Sequence, residues 1–494
     1  MIIAGDAGSR ELVVISDIVG SLHCYYRQLG AGVAISTSSL LLAQVGAVSL
    51  DVVGCQEFLG TGVIYEDRTF YSEIRKLPPA TITTFLDGRR VKQEQYWNIS
   101  SLTPEVLTAS EAIDVLWENL TSAVARVNQQ FDRVVCDLTG GYDSRAIAAA
   151  FLESPKKFAT VVSGPSDSGD VVVSRGLAAM FGLEHIHYPP VADPITSENL
   201  ETALQLTDGE CDIVEYSRVA RIHCDLSQRF QISINGSFGE VARGYWWELL
   251  FPHTGARSKL DSYKLAVRRY ALSSCSFLFQ PQHRINLVEH IQGVADRTIA
   301  GLEAHPNTFQ MDVAYLRMRM QRWQGRIASS TNRIWPCLSP FMSRRVLETM
   351  LQTRFAARER SRLIRLMLAN YKPRLAAYPL EHGNPALPAT WKTIPKFWPL
   401  IPYYAGKVAV RIERKVLRKR PAEAHGPRLQ LWEMDQVRTL LQPAAMKSMA
   451  LLDPAEVAGF LESSRKPEFS QDSEWRRLLT LELALSGITV SGSV

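Results

Sequence analysis

In the middle of the chain, short apolar runs alternate with stretches of helical period. Val134-Val135-Cys136 is apolar, passes through Asp137 and Leu138, and stops at Thr139-Gly140-Gly141. A run of that length bounded by glycine predicts a buried strand. Before it, residues 110–130 place apolar side chains at helical spacing, and after it Ala146 to Leu152 continues as a helix. Phe158 to Val162 predicts a second strand, followed by a loop at 163–170. Asp170 then opens a helix expected to run through Leu177 and Met180 to His185. A helix near Tyr216–Leu226 and a strand over Phe230–Ile234 complete the pattern. Strands alternating with helices predict an α/β fold, a parallel sheet covered by helices on both faces.

The two flanks differ. Residues 1 to about 100 read as short strands and turns: a strand at Glu11–Ile15, turns at Asp17–Gly20 and Asp87–Gly88, and Cys24-Tyr25-Tyr26 between them. Residues 260 to 380 are dominated by helical patterns.

Composition narrows the class without deciding it. Of 494 residues, 46% are hydrophobic and 21% charged, ordinary values for a globular enzyme, and no window approaches a membrane span. Seven cysteines without a Cys-x-x-Cys pair point to neither a zinc site nor a disulfide framework, so a reducing cytoplasm is expected. A net charge of +5 is too small to argue for nucleic acid. Cys24 and Cys55 are expected in the core.

The chemistry concentrates in Thr139-Gly140-Gly141-Tyr142-Asp143-Ser144. Strand, glycine turn and helix start together offer closely approachable backbone, unpaired N–H groups and a favourable dipole for an anion. Thr139 and Ser144 add hydroxyls, and Asp143 can hold a magnesium ion. An ordinary strand-to-helix turn is the plainer alternative. Arg317, Arg319 and Arg322 are spread over more than one helix face, where they either grip phosphate or carboxylate or remain solvated. Asp170 has a plain reading as a helix cap, and His185 as a structural residue.

Leu138-Thr139-Gly140-Gly141-Tyr142-Asp143-Ser144 closely resembles the pyrophosphate loop of the asparagine synthetase family, Leu-Ser-Gly-Gly-x-Asp-Ser. The resemblance runs from about Asp17 to about Gly383. It implies a partial, β-rich, glutamine amidotransferase-like domain at 1–105 and an ATP pyrophosphatase domain at 106–385, followed by an aromatic and basic segment with C-terminal helices at 386–494. It also implies a site for ATP and magnesium. Residues 139–144 would hold the pyrophosphate, Leu138, Val162, Asn235 and Gly236 would frame the adenosine, and Asp143 with Glu240 would hold the metal. Asn235-Gly236-Ser237-Phe238-Gly239-Glu240 matches the family's acidic Ser-Gly-Glu-Gly-Ala-Asp-Glu only in part. Glu240 falls on its last acid or, with a one-residue gap, on its magnesium acid.

Two family groups are missing. Ile2 stands where the family's amidotransferase domain opens with a catalytic cysteine, so no glutaminase activity is expected; a start upstream of Met1 is the competing explanation. The family's adenylation lysine is absent from Ala377–Gly383, leaving Lys372 or Arg374 to reach in.

The implied activity is that of an ATP-dependent carbon–nitrogen ligase, in which a carboxylate is adenylated, pyrophosphate leaves, and ammonia or an amine attacks. Strict asparagine synthesis, a lasso-peptide macrolactam cyclase and a natural-product or glycan tailoring enzyme are its versions. A non-catalytic ATP-binding scaffold is the alternative of another class. Implied partners are a small-molecule or peptide carboxylate, an amine donor, and a precursor peptide or separate glutaminase. The basic stretch 407–420, with an apolar stripe, suggests contact with an anionic surface or a plain solvated helix.

Overall fold

The computed structural model describes residues 1–190, 194–271, 273, 275–402, 405–406 and 427–490. The basic stretch 407–420 therefore lies outside the described residues.

The first hundred residues form two antiparallel sheets. Strands β1 (Ile2–Asp6), β2 (Glu11–Ile15), β6 (Thr81–Leu86) and β7 (Arg89–Gln95) make one; β3 (Tyr25–Leu29), β4 (Gly32–Ser36) and β5 (Ile74–Lys76) make the other, ordered β4-β3-β5. Asp87 and Gly88, at φ 48° and 76°, turn β6 into β7. Two successive positive φ angles match the right-handed twist of a hairpin, which is why Asp-Gly marks one in a sequence. Cys24 and Cys55 are buried, as expected.

The centre is a five-stranded sheet, parallel throughout, in the order β10-β9-β8-β11-β12. Its strands are β8 (Val134–Asp137), β9 (Ala159–Ser163), β10 (Glu184–Tyr188), β11 (Ile232–Ile234) and β12 (Cys337–Leu338). The chain steps outward on one side of β8 through β9 to β10, then returns to lay β11 on the other side. The order thus reverses between β8 and β11, the place where open α/β sheets bind their ligands. The protein is mixed α/β, built on this parallel sheet.

Helices follow from their caps and faces. Helix α1 (Ala109–Gln130) starts at a reciprocal capping box, the Glu111 carboxylate accepting from the Thr108 N–H at 2.9 Å. It buries Ile113, Leu116, Leu120 and Val124, one stripe at helical spacing. Helix α2 (Asp143–Phe151) leaves the loop after β8. Helix α3 (Gly169–Phe181) is capped by Ser168 and ends at Gly182, φ 63°. The sequence reading carried this helix on to His185; Gly182 in the left-handed region stops it, and Glu184–Tyr188 pairs with β9 as β10. Helix α4 (Ile213–Arg229) leads into β11. Among the described residues, no helix is long and apolar enough to cross a membrane.

A buried ionic cluster joins the β4-β3-β5 sheet to the segments around Asp208 and Arg326. Arg326 lies 3.2 Å from Asp208, and Arg333 lies 2.7 Å from the same carboxylate. The Tyr25 hydroxyl donates to Glu210 at 2.7 Å, Lys76 pairs with Glu210 at 3.3 Å, and Arg326 donates to the Tyr25 oxygen at 2.8 Å. Ser38 and Ser39 donate to the two carboxylates. Asp208 and Arg326 are wholly buried, so removing one partner strands a charge. Asp208→Ala should lower the unfolding free energy by about 3–5 kcal/mol in chemical denaturation. A loss within the range of ordinary surface substitutions would show that the cluster does not clamp the two units.

Candidate functional site

The site is assembled from the segments that follow β8 and β11. The Leu138 N–H donates to the Val161 carbonyl at 2.9 Å, prolonging the sheet to the edge of the loop. The loop then closes on itself. The Thr139 N–H donates to Ser144 Oγ at 3.0 Å, the two hydroxyls lie 2.9 Å apart, and the Gly141 N–H donates to Thr139 Oγ1 at 3.2 Å. The Gly140 N–H donates to Asp170 Oδ1 at 2.7 Å. Asp170 is therefore a brace on this loop, while Ser168 caps helix α3. Helix α2 has no side-chain cap: Tyr142 holds that position, leaving orphan N–H groups at the helix start.

The β11 segment presses on that helix start. A Cβ on Gly236 would sit 2.7 Å from the Ser144 nitrogen, and one on Gly239 would sit 2.7 Å from Asp143 Cβ and Cγ. Asn235 sets the turn between them, its Oδ1 accepting from the Ser237 N–H at 3.0 Å. Arg243 then reaches Asp143 Oδ2 at 2.8 Å. Asp143 Oδ1 and Glu240 Oε2 are buried without a hydrogen-bond partner. The Asp143 carboxyl is raised to about 7: burial raises it most, the Arg243 guanidinium opposes that, and Glu240 raises it further. Those two orphaned oxygens fit a divalent cation, although Arg243 already supplies one positive charge. Among the described residues, no three His, Cys, Asp or Glu side chains gather as a metal-binding group.

Other candidates are distributed as follows. Leu138 and Val162 are buried on adjacent positions of the sheet, Val162 on β9. His185 is pinned on β10 between Thr160 Oγ1 at 2.9 Å and Ser174 Oγ at 3.4 Å, a structural role.

Neither Lys372 nor Arg374 reaches the loop. Lys372 pairs with Glu153 at 2.6 Å, beyond the far end of α2, and Arg374 lies over the Phe181 ring. The cations beside the loop are Arg243 and Arg365, whose guanidinium groups lie 5.8 and 5.1 Å from the Tyr142 ring centre. No protein-family model matches this chain. No curated protein matches it either.

The sequence reading overlooked Arg243, Arg365 and Arg145. Arg145 is fully buried and donates to the carbonyls of Leu375 (3.2 Å), Tyr378 (2.6 Å) and Pro379 (2.8 Å). It thereby fixes the segment that crosses above the loop, where the Glu381 N–H donates to the Gly140 carbonyl at 3.4 Å. Its only signal in the sequence was an arginine in the first turn of a helix that is apolar from Ala146 onward.

Asp137 ends β8 beneath the loop, and burial raises its carboxyl from 3.8 to about 7. A raised acid binds more protons folded than unfolded, so its contribution to stability falls as pH rises through that interval. Asp137 keeps some contact with solvent, which reduces the effect. Asp137→Asn should lose roughly 1–3 kcal/mol less than wild type between about pH 5 and about pH 8 in urea unfolding. Parallel stability–pH curves would contradict it.

Proposed function

We propose that the crevice beyond β8 and β11 binds ATP and that the protein is an ATP-dependent, AMP-forming carbon–nitrogen ligase of the asparagine synthetase type. The observation that carries this reading is the uncapped start of α2 behind Thr139–Ser144, set beside the orphaned oxygens of Asp143 and Glu240 where the strand order reverses. Backbone N–H groups at a helix start hold phosphate, and buried unpaired carboxylate oxygens call for a cation. Asp143 and Glu240 would hold magnesium, which neutralises pyrophosphate charge when bound.

In this reading Thr139 and Ser144 rotate their hydroxyls from each other onto phosphate oxygens. Leu138, Val162, Asn235 and Gly236 frame the nucleoside. The substrate carboxylate attacks the α-phosphorus, the bond to the bridging oxygen breaks, and pyrophosphate leaves. An amine nitrogen then attacks the acyl carbon, the bond to AMP breaks, and the amine loses its proton. Arg243 and Arg365 take the charge-stabilising part that a lysine plays in the resembled family, because both lie at the loop and Lys372 does not. Pre-positioned charge of this kind is the main contribution a protein makes to such transfers.

The N-terminal sheets correspond in this reading to an amidotransferase-like unit, and ammonia or an amine is the second substrate. The lost lysine and acids favour a specialised amide former, such as a macrolactam cyclase or a tailoring enzyme, over strict asparagine synthesis.

Pyrophosphate release from ATP and magnesium, across a panel of carboxylates including aspartate and linear peptides, tests the proposal. Release should depend on one carboxylate and fall by about a hundredfold or more in Asp143→Ala. ATP binding without release on any carboxylate would instead favour a non-catalytic, ATP-binding scaffold.

A further inference from the structure

The three arginines at 317, 319 and 322 do not enter the crossover crevice. They lie on the helix Asn307–Thr331, whose central stretch, Tyr315–Gln324, is a π-helix. In an α-helix of 3.6 residues per turn, positions 317 and 322 would lie about 140° apart. In a π-helix, bonding from i to i+5 brings residues five apart toward one side, and positions two apart toward opposite sides. Arg317 and Arg322 accordingly line one cavity, while Arg319 stacks on Trp323 at 3.8 Å and lines another.

The cavity shared by Arg317 and Arg322 holds about 480 Å³. Its walls include Gln321 from the same helix, Lys76 and Pro79 from the N-terminal unit, and Thr298. Exposed Asp67 is also in the lining, so the cavity reaches solvent. No residue of the 138–144 loop or of the 235–243 segment lines it.

Its charges do not balance locally. Arg322 Nη1 is buried without a hydrogen-bond partner, and among the described residues no ion pair or hydrogen bond reaches either Arg317 or Arg322. The carboxylates that act on Arg322, of which Glu66 lines the same cavity, are already engaged. Glu66 is held by Arg68 at 2.9 Å and Arg297 at 2.7 Å, Glu57 by His290 at 2.6 Å, and Glu210 by Lys76 and Tyr25. Burial draws both guanidinium groups below their ordinary pKa. Two largely buried guanidinium groups without a paired carboxylate are poorly placed as structural elements, because a buried charge without a partner destabilises the fold. They are well placed to grip an oxyanion, since planar N–H forks match carboxylate and phosphate oxygens.

We propose that this cavity, between the N-terminal sheets and the Asn307–Thr331 helix, is a second binding site, gripping a small oxyanion through Arg317 and Arg322. The ligand is a carboxylate or a phosphate. The site is separate from the crossover crevice and does not rest on the ligase reading.

Thermal unfolding of the full chain tests it, with inorganic phosphate or succinate titrated against chloride at matched ionic strength. The proteins compared are wild type, Arg317→Met, Arg322→Met and Asp143→Ala. One or both anions should raise the wild-type Tm saturably. That rise should persist in Asp143→Ala and disappear in both arginine variants. A larger rise with phosphate would mark a phosphoryl ligand; a larger rise with succinate would mark a carboxylate. Without added anion the arginine variants should be at least as stable as wild type, because each removes an unneutralised charge. The proposal fails if neither anion raises the Tm, if the rise survives in the arginine variants, or if it is lost in Asp143→Ala. Arginine variants that unfold at lower temperature or fail to fold would assign those side chains a structural role and overturn it.

Discussion

The crossover depends on two positions that carry no side chain. Gly236 and Gly239 let the segment after β11 lie against the first turn of α2, where a single Cβ would come within 2.7 Å of Ser144 and Asp143. That contact brings Arg243 onto Asp143 and holds Glu240 near the same carboxylate. Side chains there would push the segment away, opening the crevice and dissolving the charge arrangement. The parallel sheet supplies the place, since β8 and β11 are neighbours whose following strands, β9 and β12, lie on opposite sides of them. The glycines supply the closeness.

A second constraint lies beneath the N-terminal sheets. The cluster of Asp208, Glu210, Arg326, Arg333, Lys76 and Tyr25 joins residues from widely separated parts of the chain in one buried network. The same core includes the C-terminal helix Asp472–Ser486, whose Trp475, Leu478 and Leu485 pack with Phe58, Phe70 and Tyr71. Apolar packing supplies most of the cohesion, and the ionic cluster fixes how the two units meet. One end of that cluster, Lys76, also borders the cavity of Arg317 and Arg322.

Much of the framework was legible because its signals are local. The apolar runs at 134–137 and 159–163, the helix at 109–130 and the Asp87–Gly88 hairpin each depend on neighbours within a few residues. Strand β10 was missed because Leu183 and Ile186 prolong the apolar count of α3, and Gly182 was not weighted as a stop. The site was legible at its loop, which is contiguous in sequence. Its opposing charge was not, since Arg243 lies a hundred residues beyond Asp143 and meets it only once β11 is laid beside β8. The π-helical stretch was also hidden: helical spacing spreads Arg317, Arg319 and Arg322 over more than one face without showing that Arg317 and Arg322 share one.

Calorimetric titration of ATP, with and without magnesium, into wild type and Asp143→Asn tests most directly whether the crossover crevice holds a metal-bound nucleotide. The substitution keeps the shape of the side chain and removes its charge. Magnesium should strengthen ATP binding to wild type, and the variant should lose this gain while keeping the metal-independent part. An equal magnesium gain in both proteins, or no ATP binding by wild type, would contradict it.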